Sequence, residues 1–158
     1  MTGRQQSGVT LVEVLVAMLV MAIGLLGAAA LQLNALKHTD SSTIGTQVSF
    51  ITYDILDRIR ANPCSNATLN PCINPGADYQ LGSLVVPGTI STIRDQDISD
   101  FVTNLNNIPG AGPIVGSIAV AAGVVTITVS WNDTRAANTN TVSTFSLVSQ
   151  VSTVWNGL

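Results

Sequence analysis

A chain of 158 residues with 9% charged positions, 46% hydrophobic ones and a formal net charge of −3 has no basic excess with which to hold nucleic acid. Its Lys and Arg are few and scattered, and a single His and two Cys leave little for metal or nucleophilic chemistry. The charge is also unevenly spread: between Arg4 and Lys37 the sole charged residue is Glu13.

The first element is the apolar run from Val14 to Leu36, entered through GRQQSGVTLVE. As a helix it is about 34 Å long, a match for a bilayer core of about 30 Å. A secretory signal peptide would end in small residues at a cleavage site, and Gly27-Ala28-Ala29-Ala30 is the one such patch. Leu31, Leu33 and Leu36 carry the apolar run past it, so the segment reads as a retained span. Gly24 and Gly27 mark either close helix packing or a softer stretch of helix.

A short basic leader ending in Gly8, then Val9-Thr10-Leu11-Val12-Glu13, then the apolar run resembles the class III leader of type IV prepilins and pseudopilins. The resemblance implies that a membrane peptidase cuts between Gly8 and Val9, that Val9 becomes an N-methylated N-terminus, and that Glu13 is the fifth residue of the mature chain. That family most often begins its mature chain with Phe, where Val9 stands here. The resemblance also implies a role for Glu13, which meets the N-terminal amine of a neighbouring subunit as the monomer leaves the membrane. The physics is consistent with this, since a carboxylate near the bilayer centre costs roughly 2.5–3.5 kcal/mol unless a partner charge offsets it. The plainer reading is a first-turn Glu in the headgroup zone, favoured there by the helix dipole and reaching water.

The leader also sets topology. Arg4 against Lys37 is a weak positive-inside mark, and the resemblance places everything beyond Leu36 outside the cytoplasm. The expected segments are a leader at 1–8, a transmembrane and assembly helix at 9–36, an amphipathic helix half at 37–62 and a periplasmic globular domain at 63–158. In the third, Val48, Ile51, Ile55, Leu56 and Ile59 recur at helical spacing, with Asp54, Asp57, Arg58 and Arg60 between them. One long helix is expected, ended at Asn62 because Pro63 disfavours a helical residue before it. Ser41-Ser42-Thr43 and Gly45 have low helix propensity and are a candidate bend.

Next come Cys64 and Cys72 in NPCSNATLNPC, close enough to close a small loop. In an oxidising periplasm the pair is expected to be a disulfide, contributing roughly 2–3 kcal/mol at most. Half a zinc site and two free thiols are the alternatives, and zinc would need two further ligands where the chain has one His, His38.

A second helix is expected with Asp97 as its N-cap and Asp100 three residues on, followed by Phe101, Val102, Leu105 and Ile108 before Pro109-Gly110. Asp95, Asp97 and Asp100 also raise calcium binding, but they lack the spacing of an EF-hand loop. Gly116 to Val120 and Val124 to Trp131 read as a hairpin across Ala-Ala-Gly, and Val142 to Val154 as a return strand or two. The whole is an α+β chain, in which a long N-terminal helix with a transmembrane first half packs its second half on a small antiparallel sheet of three or four strands.

The long helix ending in DRIRANP, the short helix leading into IPG, and the strand ending in Trp131, Asn132 and Asp133 are similar to minor pilins of the pilus-modification (PilV-like) type. The resemblance implies a subunit of a type IV pilus with three kinds of partner: the prepilin peptidase and N-methyltransferase, other minor and major pilins, and inner-membrane lipid. The alternatives are a minor pseudopilin of a type II secretion system and a membrane-tethered periplasmic binding module. No catalytic residue, metal site or cofactor is read from the chain, which looks like a substrate of two enzymes and not like an enzyme.

Overall fold

The computed structural model describes residues 8–63, 76–133 and 141–151. Its elements are helix α1 (Leu11–Ala61), a single 3-10 turn (Ala77–Tyr79), helix α2 (Ile93–Asn106) and strands β1 (Ile114–Ala121), β2 (Val124–Asn132) and β3 (Val142–Gln150). By its internal contacts the chain divides between Thr39 and Asp40.

The unit from Asp40 onward is α+β, with the second half of α1 packed on a three-stranded antiparallel sheet in the order β1-β2-β3. The expected helical stripe is its core face. Ile44, Val48, Ile55, Leu56 and Ile59 are buried, while Asp54, Asp57 and Arg60 are exposed. Each fully buried Ile or Leu contributes about 1.5–3 kcal/mol. The helix runs without interruption through Ser41-Ser42-Thr43 and Gly45, and the Thr39 and Thr46 hydroxyls donate back to carbonyls four residues earlier. Thr52, fully buried, is tolerated in the same way, its hydroxyl donating to the Val48 carbonyl at 2.7 Å. The helix ends at Ala61, two residues before Pro63, for the reason the sequence supplies.

The hairpin turns at Ala122 and Gly123, both with positive φ, the pattern of a type I′ turn whose twist matches the strands it joins. Its register aligns Ile118, Ile127 and Leu147 in one cross-strand row and Gly116, Val129 and Phe145 in the next. These rows face α1 and α2, which contribute Ile98, Phe101, Val102 and Leu105. The described sheet has three strands. β3 keeps Phe145 and Leu147 inward, with Ser143 and Ser149 in phase with them, and turns Val142 and Val148 outward.

The start of α2 differs from expectation. Thr92, not Asp97, is the N-cap: its side chain accepts from the Asp95 backbone N–H while the Asp95 carboxylate accepts from the Thr92 N–H, a complete capping box. Asp97 lies inside the helix on its buried face. An acidic residue there needs partners, and two other elements supply them.

Candidate functional site

At the N-terminal end, Gly8, Val9 and Thr10 are exposed and precede the first helical turn. Thr10 caps α1: its Oγ1 accepts from the Glu13 backbone N–H at 3.3 Å, and its carbonyl accepts from the N–H groups of Glu13 and Val14. Sequence reasoning missed this cap, although Thr-x-x-Glu ahead of an apolar run is the signal for one. Glu13 sits in the first turn, where a negative charge is favoured by the helix dipole. Its carboxylate makes no ion pair or hydrogen bond among the described residues.

From Glu13 the helix continues as a bare apolar surface. The apolar side chains from Leu11 to Leu36 are exposed, and an 18-residue window of the helix has a mean hydropathy of 2.7 with none of it buried. By length and composition this helix can cross a membrane. Gly24 and Gly27 have open space around them within this unit.

A second polar constellation ties α1 to α2. The Arg58 guanidinium donates to Asp54 at 2.9 Å, to Asp97 at 3.1 Å and to Asp100 at 3.0 Å. Burial works against its charge, but the hydrogen bonds to Asp97, Asp100 and Asp54 outweigh that, and its pKa lies above the ordinary value. The other Asp97 oxygen accepts from the Tyr79 hydroxyl at 2.7 Å, and Tyr79 accepts from the Asn62 amide. Burial, then the bond to Asp97, pushes the Tyr79 hydroxyl well above the usual tyrosine range, so it stays a donor. The network anchors the end of α1 by satisfying every charge it buries. The aspartates weighed as calcium ligands are thus used in capping and in this clamp.

A smaller tie lies at the end of β2, where the Asp133 carboxylate accepts from Ser41 of α1 and from Ser143 of β3. Glu13 lies in the N-terminal unit, and Cys64 and Cys72 lie outside the described residues.

Comparison with known proteins agrees with the N-terminal geometry and is confined to it. Residues 3–29 match the family model described as the prokaryotic N-terminal methylation motif. The chain therefore carries a type IV pilin-like class III signal, which implies processing by prepilin peptidase, and the match ends inside the apolar half of α1. No curated protein and no solved structure matched the chain.

Proposed function

We propose that the chain is a minor pilin of the pilus-modification type. Residues 9–36 hold it in the inner membrane, residues 63–158 form its periplasmic domain, and it enters a type IV pilus by its N-terminal helix to help start or modify assembly. The observation that supports this reading is the placement of Glu13. It stands five residues after Gly8, in the capped first turn of α1, whose apolar side chains from Leu11 to Leu36 are exposed. A tether does not need a carboxylate there, although the helix dipole favours one. An assembling subunit does, because the amine freed at Val9 of a neighbour can offset its charge. On this reading the peptidase cuts between Gly8 and Val9 and the methyltransferase modifies Val9, other pilins are its filament partners, and the Cys64–Cys72 pair is a disulfide of the exported domain.

The test is the mature N-terminus. Mass spectrometry of membrane material should show a chain lacking residues 1–8 with a methylated Val9, and Gly8→Leu should leave an uncut precursor in the membrane. A mature start near Ala30 would overturn the reading.

A further inference from the structure

The sheet has two edges, and the chain treats them differently. At β1, Leu81 and Ile118 exchange two backbone hydrogen bonds of 2.8 Å, and a Cβ built on Gly116 would lie 3.3 Å from Leu84, so the segment after Leu81 guards that edge. At β3 the backbone direction follows from its two ends, where the Asp133 N–H donates to the Thr141 carbonyl and the Val151 N–H to the Gly123 carbonyl. Antiparallel pairs alternate between bonded and non-bonded, so in this register the odd-numbered residues of β3 bond to β2. The N–H and C=O groups of Val142, Thr144, Ser146, Val148 and Gln150 therefore point out from the edge, and nothing pairs with them among the described residues. Exposed edges are ordinarily blunted by charge, proline, a bulge or a covering segment. The nine residues of β3, VSTFSLVSQ, have no charge or proline and pair with β2 one for one, without a bulge.

Such an edge selects its occupant by backbone hydrogen bonding. An apolar surface or a helix offers no row of donors and acceptors at the two-residue repeat of a strand, whereas an extended segment does. A second copy does not fit. Asp133 holds both Ser41 and Ser143, and Arg60 donates to Ser149, so the packed half of α1 runs in the same direction as β3. Two β3 strands that keep both cores on one face of a joint sheet must pair antiparallel, which sets those halves of α1 end for end. Chains anchored through residues 9–36 in one membrane enter them from the same end. The other edge of a second copy, β1, is already taken at Ile118 by Leu81.

We propose that the free edge of β3 takes up an extended segment of a different protein as a fourth strand. Its alternate N–H groups bond to Val142, Thr144, Ser146, Val148 and Gln150, so proline is barred from those positions. Its inward side chains are apolar, because they lie beside Phe145 and Leu147, which β3 leaves only partly buried at the margin of the core. The exclusion of a second copy rests on the membrane anchoring proposed above, whereas the strand-accepting edge does not.

The probe is the synthetic peptide VSTFSLVSQ, titrated with the detergent-solubilised full chain. Antiparallel and centred on Ser146, it places Phe beside Leu147 and Leu beside Phe145, and without α1 it is free of the directional constraint on a second copy. N-methyl groups on its second, fourth, sixth and eighth residues block its far edge and prevent self-stacking. Saturable binding is expected, weaker by about tenfold or more when the third, fifth and seventh residues are methylated too, and in Ser146→Pro. The Ser146 N–H is not used by β2, so unchanged denaturant unfolding is expected of that variant; if it unfolds, the methylated peptides decide alone. In native membranes, benzoylphenylalanine at Val148 should crosslink to a different protein, with a yield about tenfold lower in Ser146→Pro. No peptide binding, or binding indifferent to the added methyl groups, would overturn the strand-accepting edge. An adduct of two copies, an adduct within the chain, or none would overturn the occupant. The N-terminal mass is read on the same membranes: uncut chains that give the expected adduct count against the pilin reading alone, and correctly cut chains that do not bind the peptide count against the edge alone.

Discussion

The two halves of α1 are one continuous helix with opposite surfaces. From Leu11 to Leu36 its apolar side chains cover every face and are exposed, whereas between Ile44 and Ile59 a buried stripe of Ile44, Val48, Ile55, Leu56 and Ile59 runs beside exposed positions that include Phe50, Tyr53, Asp54 and Asp57. The difference shows that helical structure alone says nothing of environment. A stripe identifies a surface matched to one partner, the sheet and α2, while an all-round apolar face requires an apolar surrounding on all sides, either lipid or other helices.

The largest expected effect that would break this comparison comes from truncation. Ile59→Ala, in the packed half, should cost the domain about 2–5 kcal/mol in denaturant unfolding of the detergent-solubilised chain, whereas Leu25→Ala should stay within about 0.5 kcal/mol. Equal effects would mean that the halves are energetically alike.

Glycines sharpen the contrast. A Cβ at Gly116 would lie 2.5 Å from the Thr128 carbonyl oxygen, so Gly116→Ala must shift the β1–β2 pairing, at about 1–3 kcal/mol. Gly24 meets nothing within 4 Å, and Gly24→Ala should leave domain unfolding unchanged. The same unfolding curves report both.

A smaller effect belongs to the Arg58 clamp. Arg58→Gln should cost about 1–2 kcal/mol, the low end of the range for charged hydrogen bonds, because the side chain is 34% exposed. A double-mutant cycle with Asp97→Asn should give a coupling well above that with the exposed Asp54.

How much of this was legible depended on whether the cause was local. The end of α1 follows from Pro63, and the hairpin from a small turn between two apolar runs. The stripe from Val48 to Ile59 is a period of the sequence itself. The start of α2 was misread because Asp97 has the right spacing for a cap, and what claims it instead, Arg58 and Tyr79, lies far away along the chain. On β3 the apolar residues were legible but their facing was not. Val142 and Val148 fall out of phase with Phe145 and Leu147, and only the pairing to β2 decides which set faces inward. Of the candidate site, Gly8, Val9 and Glu13 were readable as a leader pattern, while the Thr10 cap was overlooked.

The smallest effect is a pH dependence of the α2 cap. Hydrogen bonds from Arg94 first, then from Thr92 and Ser91, hold the Asp95 carboxyl well below the usual carboxylate range. A depressed folded pKa contributes stability that is complete above about pH 4, the ordinary carboxylate value, and is lost as pH falls through the lower folded value. Unfolding of the wild type should therefore become easier in acid below about pH 4, and Asp95→Asn should flatten that part of the profile.

Whether Glu13 serves assembly is decided by Glu13→Gln. Gln nearly matches Glu in shape, but its amide cannot offset a neighbour's ammonium group. The variant should be cut after Gly8 and stay in the inner membrane yet be missing from sheared pili, with reduced piliation when it is the only copy in the cell. Wild-type incorporation and piliation by Glu13→Gln would contradict it and leave the apolar half of α1 as a simple anchor.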